Sequence, residues 1–346
     1  MMMHGVMRSA VVLGWLLLVL EMSVGYGAVV SPSVMEKIKA VNKKGPFLGI
    51  VVPNSFEMNP LLQSPSFVSD PSIPFLDFAG RRFRIASLKN KKVIVVMSGL
   101  GMLNSGIATQ LLLSFFEVEG VVHYGISGNA NPQLQIGDVT IPQFWAHTGL
   151  WNWQRFGDGP NDELALESNG DYTREIGYLN FSKYDTAKVS SGNLLNNVWY
   201  QPEEIFPIDG YPEIRQHAFW TPVNEPYFSL AKKLENMKLE GCVNSTCLQR
   251  APKVVRVKRG VSANVFVDNS AYRDFLHSAF NATPIDMETA AVALVCSQQR
   301  VPFIAIRALS DLAGGGSSES NEAALFAPLA AQNAADVLLG FISLIP

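Results

Sequence analysis

Short β-branched apolar runs recur along this chain, and each stops abruptly in an acidic or glycine-rich cluster. Leu48–Val52 runs into Pro53-Asn54-Ser55-Phe56-Glu57, and Val93–Met97 into Ser98-Gly99-Leu100-Gly101. Val121–Tyr124 leads to Gly125-Ile126-Ser127-Gly128-Asn129, Pro284-Ile285 to Asp286-Met287-Glu288, and Ile304–Leu309 to Ser310-Asp311. Apolar runs of this length without polar alternation are the pattern of strands buried on both faces. Val121–Ser127, Val301–Leu309, Val139–Pro142 and Val254–Val257 read as strands on the same grounds. Helical spacing occupies Leu103–Glu119, Ala271–Phe280, Met287–Gln299 and Asn321–Phe341. Strands alternating with helices predict an α/β fold of three layers, α/β/α, around a mixed, mainly parallel twisted central sheet. In such sheets ligands bind beyond the carboxyl ends of strands, which is where the polar clusters fall.

The N-terminus stands outside that pattern. Arg8 precedes the apolar run Ala10–Leu20, and the small residues Gly25 to Ala28 follow. This is the layout of a secretory signal peptide over residues 1–27, cleaved after Gly27, and the run is shorter than the ~20 residues a membrane span requires. Residues 28–346 then read as a single domain with a large insertion at about 146–250, because that stretch lacks clear periodicity yet is too long for bare loop. Three N-glycosylation triplets, at Asn180, Asn244 and Asn281, agree with the secretory route. Cys242 and Cys247 bracket the second triplet at a spacing that suits a small disulfide loop, leaving Cys296 as a buried thiol. No histidine stands at ligand spacing from the cysteine pair, so no metal is expected. With 48% hydrophobic and 16% charged residues the chain has ample material for a core. A net charge of −3 with no basic block argues against nucleic acid or an anionic membrane as partner.

Taken one at a time the clusters say little. A glycine turn after a strand is usually only a turn, and Asp286, Glu288 or Asp311 at a helix start or turn serves the backbone equally well. Their order along the chain says more. Gly125-Ile126-Ser127-Gly128-Asn129-Ala130-Asn131-Pro132 followed by Ile136-Gly137-Asp138-Val139 resembles the glycine loop and following strand of the nucleoside phosphorylase and nucleosidase superfamily. Asp286-Met287-Glu288-Thr289-Ala290-Ala291 is similar to that family's M-E-x-x-A helix start, and Arg307-Ala308-Leu309-Ser310-Asp311 to its terminal R-x-[IV]-S-D motif. The match covers roughly residues 45–145 and 253–345. With Thr148-Gly149-Leu150-Trp151 and the secretory leader, it is nearest the plant branch of bark and vegetative storage proteins and cytokinin-riboside phosphorylases.

The resemblance implies cleavage of a purine-type nucleoside, with a cytokinin riboside as one candidate, at its N-glycosidic bond. Asp311 matches the acid that protonates the base, Glu288 the carboxylate beside the ribose, and Glu57 the glutamate that activates water in hydrolytic members. Met287 and Asp286 would sit against the ribose. Phe266 aligns with the aromatic residue that stacks on the base, or else is an ordinary core residue; Val267, Ser310, Ser127 and Gly128 complete the substrate pocket. Phosphate, the implied co-substrate, would lie against Gly49, Ser127 and His123. Departures weaken that last expectation: His123 stands where phosphorylases carry an arginine, and Pro53–Glu57 lacks their second one. His123 reads either as a partial substitute or as a satisfied core histidine. Ile126 replaces a small hydroxyl residue, and Asp286 a longer glutamate. Phosphorolysis is the leading expectation, with a phosphate-independent nucleosidase and an inactive storage protein as alternatives. The family also implies a homo-oligomer, no organic cofactor, and here an extracellular (apoplast) or vacuolar destination.

Overall fold

The computed structural model describes residues 30–153, 178–180, 197–211, 216–315 and 322–346; the leader expected at 1–27 lies outside them. In chain order the first half runs α1 (Pro32–Asn42), β1 (Phe47–Val52), α2 (Ser55–Gln63), β2 (Phe67–Ser69), β3 (Phe75–Phe78), β4 (Arg81–Leu88), β5 (Lys91–Met97), α3 (Met102–Phe115), β6 (Val118–Asn129) and β7 (Val139–His147). The insertion contributes β8 (Trp151–Trp153), β9 (Tyr178–Asn180), β10 (Asn197–Tyr200), β11 (Glu203–Ile205), β12 (Gln216–Ala218), β13 (Thr221–Pro222), α4 (Glu225–Ala231), β14 (Cys242–Val243) and β15 (Thr246–Cys247). The chain returns with β16 (Val254–Ser262), α5 (Ser270–Phe280), β17 (Ala282–Asp286), α6 (Thr289–Gln298), β18 (Phe303–Leu312) and α7 (Glu322–Leu344).

The main sheet is mixed. β1 pairs in parallel with β5 and β6, β18 with β6, and β16 with β7 and β17, while β4 adds antiparallel to β5. β18 also meets β7, and β17 meets β6, both antiparallel. Those pairings link β6, β18, β7, β16 and β17 into a ring, so one end of the sheet curls closed. Helices cover both faces. Met58 and Leu61 of α2 and Ala330, Ala334, Leu338 and Phe341 of α7 join one core with the sheet. Ile38 and Val41 of α1, Ala108 and Leu112 of α3 and Val292 and Cys296 of α6 join the other. The three-layer arrangement is therefore as expected. By length and composition Phe326–Leu344 is apolar enough to cross a membrane, but α7 instead lays its apolar residues against the sheet.

Several expected boundaries move. The helix expected to reach Glu119 ends at Phe115, and Val118 already opens β6. Pro53–Glu57, read as a strand-end loop, turns into α2, whose first turn is capped by Asn54 Oδ1 accepting from the Glu57 amide at 3.0 Å. In the insertion, Tyr200 and Phe219 pack on Phe280 of α5, and Tyr200 shares a core with Val261 of β16 and Ala282 and Ile285 of β17. Cys242 and Cys247 are disulfide-bonded across the β14–β15 hairpin, with Asn244 exposed at its turn, and Cys296 is a buried thiol.

Candidate active site

The carboxyl ends of β1, β6, β17 and β18 meet around a cavity of about 210 Å³, the right scale for a small molecule and too small for a polymer. Glu57, Ser127, Gly128, Phe266, Val267, Asp286, Met287, Glu288, Ser310 and Asp311 all line it. Ten residues predicted from five separate stretches of sequence thus converge on one space. Gly49 and His123, expected to hold phosphate, do not. Gly49 lies inside β1, where a Cβ would come 2.8 Å from Leu112 of α3, so it is glycine to let helix and strand approach. His123 is fully buried beneath the cavity, and burial pushes its pKa well below the usual imidazole range. It is a core histidine, with Nδ1 2.9 Å from the Val51 carbonyl and Nε2 against Arg307 Nη2. Those partners assign the proton to Nδ1.

The side chain that organises the floor is Arg307, part of a recognised motif but given no role from sequence. It is wholly buried. Its Nε lies 2.7 Å from Asp286 Oδ2, Nη2 3.6 Å from Glu288 Oε2, and Nη1 3.9 Å from Glu57 Oε1. Nη1 also donates to the Ile126 carbonyl, and Nε and Nη2 to Thr289 Oγ1. Gly125 makes room for this contact: a Cβ there would sit 2.4 Å from Glu57 Oε1 and 2.5 Å from Arg307 Nη1. His123, Asp286 and Glu288 bring potential metal-ligand atoms within 4.8 Å of one another, and the Arg307 guanidinium is the cation packed against all three.

The carboxylates differ in what is left over for a ligand. Asp286 is used up. It accepts from Ser262 Oγ, from the Glu288 and Thr289 amides, from Thr289 Oγ1 and from Arg307, so its role is to fix the start of α6 rather than to grip a sugar. Glu288 accepts from the Gly101 amide at 3.0 Å and the Met287 amide at 3.3 Å. Burial is the main cause holding its pKa above the usual range, with Arg307 opposing and Asp286 adding to the rise. Glu57 Oε1 accepts from the Ile126 amide at 2.7 Å, while its Oε2 is buried with no partner among the described residues. Desolvation raises the Glu57 pKa to about 8 against the pull of Arg307 and that amide. Ser127 Oγ is a second orphan in the same cavity. Buried polar atoms are normally paired, so two unpaired ones on residues of one cavity set this place apart from the core around it. Ser310 Oγ donates to Asp311 Oδ1 at 2.6 Å and orients that acid.

The mouth is apolar. Phe266 is 70% exposed, which removes the reading of an ordinary core residue, and Leu100 and Val265 beside it are also exposed. Four acidic side chains and no basic one line the described cavity. Such a surface can donate and accept protons and favour developing positive charge, and it is a poor holder of a dianion. Leu100, Pro53, Asn54 and Val265 also border the cavity without having been singled out from sequence.

Residues 47–343 match the Phosphorylase superfamily. Bark storage protein A of Populus deltoides is 31% identical, over 86% of this chain and 89% of its own length. The 5'-methylthioadenosine/S-adenosylhomocysteine nucleosidase of Staphylococcus aureus (strain JH9) is 25% identical, over 70% of this chain and 79% of its own. Among solved structures, the futalosine hydrolase of Helicobacter pylori strain 26695 gives a TM-score of 0.58 at 20% identity, covering 88% of this chain and 100% of that one. A Helicobacter pylori 5'-methylthioadenosine/S-adenosylhomocysteine nucleosidase with butyl-thio-DADMe-Immucillin-A gives 0.57 at 19%, covering 86% and 98%. These two structures share the fold.

Proposed function

The chain belongs to the Phosphorylase superfamily, and from that premise we propose that it binds a purine-type nucleoside and cleaves its N-glycosidic bond with water rather than phosphate. The observation that carries this reading is the unpartnered Oε2 of Glu57 in a cavity lined by acids and no basic side chain. Breaking the bond leaves positive charge on the ribose and negative charge on the base. Asp311, steadied by Ser310, supplies a proton to the departing base. Glu288, fixed by two backbone amides, holds the ribose hydroxyls and faces the developing cation. Glu57 in its ionised form takes a proton from the attacking water. Phosphorolysis, the leading expectation from sequence, loses support, because no described basic residue lines the cavity and the Arg307 guanidinium beneath its floor already faces three carboxylates.

The similarity to a bark storage protein supports a second reading, a protein of this fold with no activity. Base release measured by chromatography separates the readings. Mature protein is incubated with adenosine, inosine and isopentenyladenosine, with and without phosphate. Release independent of phosphate is the expected result; release only with phosphate returns the assignment to phosphorolysis, and no release from any riboside leaves the storage reading. The expected secretion and homo-oligomer stand as proposals beside this one. Exposed Leu100, Leu103 and Ile107 at the start of α3 suit a face covered by a second copy.

A further inference from the structure

We propose a second ligand site, an oxyanion pocket of the phosphate class, on the other side of the Ser98–Gly101 turn from the catalytic cavity. A separate cavity of about 370 Å³ opens where β4 begins and β5 ends. Arg81, Arg82 and Arg84 line it, and no acidic residue does. Ser98 and Gly99 form its wall while Leu100, the next residue, lines the catalytic cavity, so the two spaces are back to back.

The three arginines are not equally occupied. Arg82 is committed, with a bidentate pair to Asp77 at 2.8 and 2.6 Å and its guanidinium over the Phe75 ring. Arg81 donates from Nη2 to Asn104 Oδ1 and from Nη1 to the Gly80 carbonyl, but its Nε is buried without a partner among the described residues. The Arg84 side chain makes no hydrogen bond or ion pair with another described residue and acts on Asp77 only through space. A buried guanidinium N–H with no acceptor is costly, and a protein cavity that gathers three cations against one carboxylate favours an anion. Phosphate-type oxyanions fit arginine donors best, because the planar fork matches two oxygens at once. Met58 and half-exposed Met97 form an apolar flank, which suits a phosphomonoester carrying a small organic body as well as the free ion.

The site does not depend on the hydrolytic reading, and binding is measured without turnover. Inorganic phosphate is titrated into the mature protein by calorimetry at low ionic strength. One saturable site is expected, weakened roughly tenfold or more by Arg84→Gln and less by Arg84→Lys. The Asp311→Asn variant should bind phosphate as the wild type does. Phenyl phosphate binding more tightly than inorganic phosphate assigns the apolar flank to an organic body; equal binding assigns the site to the free ion. Absence of saturable binding by either probe overturns the proposal, as does binding that Arg84→Gln leaves unchanged while Asp311→Asn or Glu288→Gln abolishes it. Thermal unfolding of each variant checks that the loss is local.

Discussion

The floor and the mouth of the catalytic cavity are built on opposite terms. At the floor, Asp286, Thr289, Ser262 and Arg307 satisfy one another within the chain and are almost entirely buried. At the mouth, Phe266, Val265 and Leu100 present apolar surface to solvent. A closed polar network holds charge in place before any ligand arrives, whereas an open apolar rim gains only when something covers it. The difference separates groups that set the chemistry from groups that set affinity, and each can be disturbed alone.

The largest effect is expected from Arg307→Met. It strands three carboxyl groups around an apolar side chain, and urea unfolding should show a loss on the order of 3–5 kcal/mol together with loss of base release. Asp311→Asn should spare stability and lower kcat for base release roughly a hundred- to ten-thousand-fold, because the proton donor alone is removed. Glu57→Gln should also lower kcat, and it carries a distinct pH signature. Glu57 keeps its proton to about pH 8 when folded but ionises in the ordinary carboxylate range when unfolded. Between those limits the unfolded chain binds fewer protons, so this group makes stability fall as pH rises. Removing it should shift the difference in Tm toward the variant across that window, and should erase the rise in kcat/KM expected of the wild type as pH approaches 8. The smallest change belongs to the mouth: Phe266→Ala should raise KM about two- to tenfold with kcat held, as expected for the loss of one stacking contact. A fall in kcat instead would move Phe266 from rim to machinery.

Much of this was legible in the sequence because buried strands announce themselves by apolar runs and the acids follow directly. The helix after Met102 was extended too far because Phe115-Phe116-Glu117-Val118 satisfies helical and strand patterns alike, and only pairing with β1 decides that β6 begins there. The α2 helix was hidden by Pro60 in its interior. Gly49 was misread because a glycine needed for packing looks like one needed for a ligand. Arg307 was visible as part of a motif, but its partners come from α2, β6, the end of β17 and the residues after it, and no spacing along the chain joins them. Arg84 was invisible for the opposite reason, since a charged residue on a peripheral strand reads as solvated surface.

The register shift between β18 and β6 gives the cavity a dependence on counting. Leu309 stands opposite Ser127 and Asp311 opposite Gly128, so β18 spends one residue more than its neighbour. Consecutive residues of a regular strand face opposite ways, yet Ser310 and Asp311 both line the cavity, which the extra residue permits. A descendant chain that dropped one residue between Leu309 and Leu312 would keep every core residue of β18 and all the helices around it. It would nonetheless carry a different side chain at the acid's place. The position of the proton donor is thus inherited as a length, and a lineage can lose its chemistry through a single deletion that leaves its architecture untouched.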